Sequence, residues 1–232
     1  IRLEDELKAR IPYPVLIEND VNLAALGIRD WELPRHHKNI LVVFLGTGIG
    51  GGLVLNGQLY RGSTSIAGEI GHITYSANGP VCGCGKKGCF EAVASRTAIV
   101  KHITADIKAG KKSVLKAKLD EGKMIKSKAI ASALREKDKV TVNAVTAATK
   151  ITGKVLSDIN NLLNLDLIVL GGGLIEAAGE FILPTLRKSF EKYSLRDCLN
   201  AVELHVTELG DDAALYGGLS LVEEFTDYRW DR

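Results

Sequence analysis

The segment NILVVFLGTGIGGGLVLNGQLYRG, residues 39–62, combines two apolar runs with two turn signals. The run from Asn39 to Gly46 is apolar and rich in β-branched residues, which is typical of a buried strand. Asn56 and Gly57 separate two further apolar runs, and this dipeptide is a strong signal for a two-residue hairpin. The stretch from Leu41 to Tyr60 therefore predicts a three-stranded antiparallel meander.

The loop between the first two predicted strands is rich in glycine. Gly46, Gly48 and Gly51 match the dinucleotide fingerprint G-x-G-x-x-G, but that site requires a helix after the loop. A strand follows here, so we reject a Rossmann site. A plain tight turn is one alternative. Five glycines within residues 46–52 instead favour a loop whose backbone N–H groups cradle phosphate, helped by the Thr47 hydroxyl.

The segments on either side predict a mixed α/β fold. Upstream, YPVLIEND (13–20) reads as a short strand, and VNLAALGIRDW (21–31) begins a helix. Downstream, the predicted elements are helices at 95–108, 127–135 and 140–163, a buried strand at 165–170, a helix at 176–193, a strand at 201–209 and a closing helix at 211–225. Gly171, Gly172 and Gly173 follow the buried strand. They allow a flat adenosine group to lie against the backbone, or they form an ordinary strand-to-helix turn.

Three of the four cysteines, Cys82, Cys84 and Cys89, fall within eight residues, and His72 precedes them by ten. Disulfides within so short a segment would strain the ring. Four such ligands match a Cys₃His zinc site, and the interleaved glycines allow the chain to fold sharply around one ion. Closed coordination leaves no position for water, so we expect a structural zinc. The alternative is a glycine-rich loop with reduced thiols. Cys198 lies outside the pattern.

Four polar residues flank these motifs. Asn19 and Asp20 precede a predicted helix, and an Asx N-cap is the simple interpretation of that pair. Glu69 lies three residues before His72, and Glu91 lies two residues after Cys89. A zinc-pinned loop would hold these two carboxylates close together, which suits the binding of hydroxyl groups.

Composition excludes several classes of protein. The formal net charge of +2 over 232 residues argues against a nucleic-acid partner. An apolar run of 18 residues does not occur, so we expect no transmembrane helix. The first residues, IRLEDELKAR, are charged rather than a secretory signal, which predicts a cytoplasmic protein.

Taken together, the motifs resemble the ROK family of bacterial sugar kinases and sugar-responsive repressors. The resemblance runs from about Pro14 to Leu219 and is carried by ENDVNLAALG, FLGTGIGGGLVLNGQLYRG, AGEIGHITY, CGCGKKGCFEAVAS and LIVLGGGL. It implies the actin-like, ribonuclease-H-like ATPase fold, with a cleft between two domains. It also implies small-molecule partners, namely a sugar and ATP with Mg²⁺, and a homo-oligomer such as a dimer or tetramer.

The resemblance also implies roles for individual residues. Asp20 matches the catalytic base that accepts the proton of the sugar hydroxyl, and Asn19 matches a sugar contact. Glu69, His72 and Glu91 match sugar-binding positions. The remaining matches are Gly46, Thr47 and Gly48 for the phosphate loop, Gly171, Gly172 and Gly173 for adenosine, and His72, Cys82, Cys84 and Cys89 for zinc.

One family motif, an Asp-x-Gly-Gly-Thr near the N-terminus, does not occur in this sequence. We therefore expect residues 1–232 to be mainly the large C-terminal domain, with the small N-terminal domain missing. The intact glycine motifs and Asp20 favour a glucokinase-like kinase of a hexose or N-acetylhexosamine. The alternatives are the sugar-binding effector module of a ROK-type repressor and a zinc-stabilised scaffold without a small-molecule role.

Overall fold

The computed structural model describes residues 3–226, which form a five-stranded sheet covered by helices on both faces. The strands are β1 (Ile40–Leu45), β2 (Ile49–Leu55), β3 (Gln58–Leu59), β4 (Leu167–Gly171) and β5 (Glu203–Val206). The helices are α1 (Leu3–Lys8), α2 (Asp20–Gly27), α3 (Phe90–Ala94), α4 (Arg96–Lys108), α5 (Lys116–Asp120), α6 (Ser127–Arg135), α7 (Lys139–Leu163), α8 (Gly173–Tyr193), α9 (Arg196–Ala201) and α10 (Ala213–Phe225). A π-helical turn, Ile28–Glu32, continues α2.

The sheet is mixed, with strand order β3-β2-β1-β4-β5. Strands β1, β2 and β3 form the antiparallel meander that the sequence predicts, and β4 and β5 join β1 in parallel. Asn56 (φ 53°) and Gly57 (φ 78°) make the turn between β2 and β3, both with positive φ as a type I′ hairpin requires. Ile40 pairs with Leu167, and Phe44 pairs with Gly171. Because β1 and β4 are parallel, the glycine segments that follow them lie side by side at the carboxyl ends of these two strands.

Each face of the sheet packs against its own layer of helices. Leu41, Val43 and Leu45 of β1 point into a large core under α3, α4, α6, α7 and α8. Ile40 and Val42 point into a smaller core under α2 and α10. Burial on both faces explains why β1 and β4 read as continuous apolar runs rather than as alternating ones.

The predicted strand at 13–20 is wrong. Residues 14–19 have no regular structure, and Tyr13 and Ile17 are exposed. The sheet described within residues 3–226 consists of β3, β2, β1, β4 and β5, and this segment forms none of these strands. The helix predicted from residue 176 begins three residues earlier, at Gly173. None of the helices within this range is long and apolar enough to cross a membrane.

Candidate functional site

A cleft of about 400 Å³ lies at the carboxyl ends of β1 and β4. It is lined by Asn19, Asp20, Val21, Phe44, Gly46, Gly48, Ile49, Gly50, Gly51, Gly68, Glu69, Glu91, Gly172, Gly173 and Asp211. The cleft thus brings together residues from five of the predicted motifs, which are separated by more than 150 positions in the chain. A polar cleft beside two glycine-rich turns suits a hydroxylated ligand next to a phosphate.

Asn19 and Asp20 enter the cleft at the start of α2. Asn19 is the N-cap, because its Oδ1 accepts hydrogen bonds from the backbone N–H groups of Val21 (2.9 Å) and Asn22 (3.2 Å). The Asx cap inferred from the sequence is therefore confirmed. Asp20 is the first helical residue and its side chain is exposed to the cleft. A carboxylate at this position complements the positive end of the helix dipole.

Glu18 fixes this turn, a role that the sequence analysis missed. Its Oε1 accepts hydrogen bonds from Asn19 N (3.0 Å) and Asn22 Nδ2 (2.9 Å), and its Oε2 accepts one from Arg61 Nε (2.6 Å). Burial pushes the Glu18 pKa upward, but these hydrogen bonds outweigh it and hold the pKa below its ordinary value. Arg61 also pairs with Glu224 of α10 at 3.3 Å, so the turn is tied to both the hairpin and α10.

His72, Cys82, Cys84 and Cys89 converge as predicted, with their four donor atoms all within 4.8 Å of one another. Cys84 Sγ lies 3.6 Å from Cys89 Sγ, and Cys82 Sγ lies 3.7 Å from His72 Nδ1. A tetrahedron of donors about 2.3 Å from a zinc ion has edges of roughly 3.8 Å, so the donor set fits zinc. Cys198 lies in α9, outside the cluster.

The thiols of this cluster differ in acidity when no metal is bound. Burial, together with the hydrogen bonds of Cys84 and Cys82, raises the pKa of Cys89 to about 11. A hydrogen bond from the backbone of Lys86 lowers the pKa of Cys84. Zinc binds thiolates, so uptake of a zinc ion by this cluster would displace a proton from Cys89.

Two carboxylates connect the cluster to the cleft. Glu69 Oε2 lies 3.7 Å from His72 Nε2, on the side of the ring opposite the thiols. Glu91 Oε2 accepts a hydrogen bond from Ile49 N (3.0 Å), and Glu91 Oε1 lies 3.8 Å from Cys82 Sγ. Glu91 therefore joins the cysteine loop to the glycine hairpin. The contact requires Gly48, because a Cβ added there would lie 2.2 Å from Glu91 Oε2.

The hairpin loop from Gly46 to Gly48 is held by the start of α4. Thr97 Oγ1 donates to Thr47 O (2.7 Å), and Arg96 N donates to Gly46 O (3.0 Å). Arg96 Nη2 also donates to Thr47 Oγ1 (2.5 Å). These three hydrogen bonds tie the hairpin loop to the first turn of α4.

The second glycine segment leads into a larger cavity of about 780 Å³. Gly173 lines both this cavity and the cleft, so the two are adjacent. Gly172 has φ 88°, and a Cβ there would lie 2.8 Å from Leu45 O at the end of β1. Only glycine allows β4 to turn into α8 this close to β1. The cavity wall includes Ala131 of α6 and Ala177 of α8.

The remaining predicted residues lie near the cleft without lining it. Gly171 is buried in β4 against Phe44 and Thr207, the exposed Thr47 lies at the loop tip, and His72 belongs to the metal cluster. Asp211, which does line the cleft, was missed by the sequence analysis because no motif marks it.

Comparison with known proteins places this chain in a family. The chain is 37% identical to a glucokinase of Halalkalibacterium halodurans, over 96% of this chain and 67% of that protein. It is 31% identical to the xylose repressor of Bacillus subtilis, over 98% of this chain and 55% of the repressor. The crystal structure of a ROK family glucokinase from Streptomyces griseus with glucose and AMPPNP superimposes with a TM-score of 0.81, at 30% identity, over 96% of this chain and 72% of that one. This similarity confirms the predicted actin-like ATPase fold. The model of the ROK family matches residues 1–225, and the chain belongs to that family.

Proposed function

We propose that this protein is an ATP-dependent sugar kinase of glucokinase type that phosphorylates a hydroxyl of a hexose or N-acetylhexosamine. The observation that carries the proposal is the cleft, which combines Asp20 and four other polar or acidic side chains with two glycine turns. The glucokinase relative and the glucokinase complex with glucose and AMPPNP support the same reaction.

In the proposed reaction, Asp20 accepts the proton of the sugar hydroxyl. The hydroxyl oxygen forms a bond to the γ-phosphorus of ATP, the bond to the bridging oxygen breaks, and ADP leaves with that electron pair. Such transfers depend on positioning and on charge stabilisation more than on covalent help. Asp20 suits this role because its side chain is exposed to the cleft and a carboxylate oxygen can accept a proton.

The cleft also provides positions for the two substrates. Asn19, Glu69 and Glu91 would bind the sugar hydroxyls, with the free amide group of Asn19 as donor and the carboxylates as acceptors. The phosphates would lie on Gly46 and Gly48 and at the N-terminus of α8, where backbone N–H groups lack helical partners. The adenosine would occupy the larger cavity between Ala131 and Ala177.

Two metals follow from this proposal. Mg²⁺ would accompany the phosphates of ATP and neutralise part of their charge. Zinc would be held by His72, Cys82, Cys84 and Cys89, and would order the loop that carries Glu69 and Glu91. Four protein donors fill its coordination, so its role would be structural.

The test is ADP release from Mg-ATP over a panel of hexoses and N-acetylhexosamines, with the full-length protein including any segment that precedes residue 1. Sugar-dependent ADP release would support the kinase and name its substrate. Sugar binding without ADP release would contradict it and favour the second candidate, a sugar-binding effector module of a repressor. The similarity to the xylose repressor over 98% of the chain is the observation behind that candidate.

A further inference from the structure

Arg96 occupies a position between the two cavities that none of the predicted roles explains. It is the first residue of α4, and its side chain reaches both the glycine hairpin and α6. Nη2 donates to Thr47 Oγ1 at 2.5 Å, and Nη1 lies 3.4 Å from Ser127 Oγ. Two neutral hydroxyls thus fix the plane of the guanidinium while leaving its charge without a counterion.

The position of the Arg96 charge is electrostatically unfavourable. A cation at the N-terminus of a helix faces the positive end of the dipole, which is unfavourable. Within residues 3–226 no carboxylate lies within 4.0 Å of the Arg96 guanidinium. The side chain is also partly buried, which makes an uncompensated charge more costly. A charged residue at a position that the helix dipole disfavours, and without an ion-pair partner in the fold, is a candidate for ligand binding.

The surroundings identify the ligand as an anion. Arg96 lines the larger cavity together with Lys126 and Lys128, whereas Glu176 is the one acid on its wall and Arg135 on the same wall is already paired with Glu180. The adjoining cleft is acidic, because Asp20, Glu69, Glu91 and Asp211 all line it. Phosphates at the junction of the two would be repelled by those carboxylates unless a fixed cation lay beside them.

We propose that Arg96 binds the phosphates of the donor nucleotide at the junction between the cleft and the larger cavity. The proposal rests on the proposed kinase function and adds a charged contact to a phosphate site otherwise made of backbone N–H groups. The planar guanidinium is preorganised by Thr47 and Ser127, and it retains N–H donors that match the oxygens of a phosphate. Thr47 therefore acts mainly by holding Arg96.

The experiment measures the affinity of Mg-ADP for the full-length protein by titration calorimetry, in the wild type and in Arg96→Gln, Arg96→Lys and Arg135→Gln. Arg135→Gln is the matched control, because it removes the same charge from the same cavity wall but from a residue already paired with Glu180 (3.3 Å). We expect Arg96→Gln to weaken Mg-ADP binding about 10- to 100-fold. Arg96→Lys should recover part of the loss, and Arg135→Gln should change affinity by less than about 3-fold.

Sugar affinity and the thermal midpoint, measured on the same samples, separate this role from a structural one. Both should stay close to the wild-type values in Arg96→Lys. If the wild type binds Mg-ADP and Arg96→Gln binds it with the same affinity, this inference is overturned, whereas the proposed kinase function is unaffected. Equal losses of Mg-ADP affinity in Arg96→Gln and Arg135→Gln would also overturn it. The positive charge of the cavity wall as a whole would then explain the affinity without a direct contact from Arg96. A wild-type protein that does not bind Mg-ADP would overturn the kinase and this inference together.

Discussion

Two substitutions of Glu91 should distinguish its contribution to the stability of the glycine hairpin from its contribution to sugar binding. Glu91 Oε2 accepts the N–H of Ile49 at 3.0 Å, and Ile49 is 6% exposed. Glu91→Ala leaves that N–H without an acceptor, which costs about 1–3 kcal/mol in the free energy of unfolding. For a chain of 232 residues, a loss of about 2 kcal/mol lowers the thermal midpoint by roughly 4–8 °C.

Glu91→Gln keeps an oxygen that can accept the same hydrogen bond. We therefore expect it to lose less than about 1 kcal/mol in the free energy of unfolding. It nevertheless loses the negative charge, and its second terminal atom becomes a donor instead of an acceptor. If Glu91 binds a sugar hydroxyl, both variants should weaken sugar binding by about 10-fold or more.

The assay is urea unfolding of zinc-loaded protein, followed by calorimetric titration with the sugar identified in the kinase screen. Glu69→Ala is the control, because Glu69 is exposed and only its contact with His72 is lost. It should keep the unfolding free energy within about 0.5 kcal/mol while weakening sugar binding. Wild-type stability in Glu91→Ala would refute the hairpin contact, and wild-type sugar affinity in both Glu91 variants would refute the sugar contact.

Three further predictions test other parts of the site. Asp20→Asn should lower turnover by about 10²–10⁴-fold while sugar affinity stays within a few-fold, and surviving turnover would leave Asp20 as a helix residue only. A chelator should remove one zinc per chain, lower the thermal midpoint and abolish sugar binding, whereas unchanged sugar affinity in metal-free protein would refute the ordering role of zinc. The Glu18 pKa is lowered, so its stabilisation is present above its ordinary pKa of 4.5 and is lost as pH falls through the folded value. Glu18→Gln should therefore lose less stability than the wild type between about pH 5 and 3, as measured by urea unfolding.

The parts of this molecule that the sequence predicts are those whose causes are local. The turn at Asn56 and Gly57 follows from the backbone conformations that those residues tolerate. The metal cluster is predictable because its ligands lie within 18 consecutive residues and their chemistry is distinctive. The long helix α7 follows from its apolar periodicity, and the structure adds its N-cap Asp138, whose Oδ1 accepts the N–H of Thr141 at 2.8 Å.

The parts that could not be predicted depend on partners far away in the chain. Arg61 lies 43 residues from Glu18 and 163 residues from Glu224, so no short motif reveals their network. The segment at 13–20 is apolar enough for a strand but joins none of the five strands of the described sheet, and local sequence does not show whether a strand finds a partner. Arg96 does leave one signal, a cation directly after the N-cap Ser95, where the helix dipole disfavours it.

The register of the sheet explains why such separate motifs act at one place. Pairing of Phe44 with Gly171 sets the ends of β1 and β4 level, and both chains then turn through glycine. The cysteine loop also lies beside these strand ends. Glu91 follows Cys89 by two residues, and its carboxylate accepts a hydrogen bond from Ile49 N. Zinc would therefore influence phosphoryl transfer through Glu91 and the hairpin. Loss of the proposed zinc should change the glycine hairpin as well as the proposed sugar site, even though all four candidate metal ligands lie outside the cleft lining.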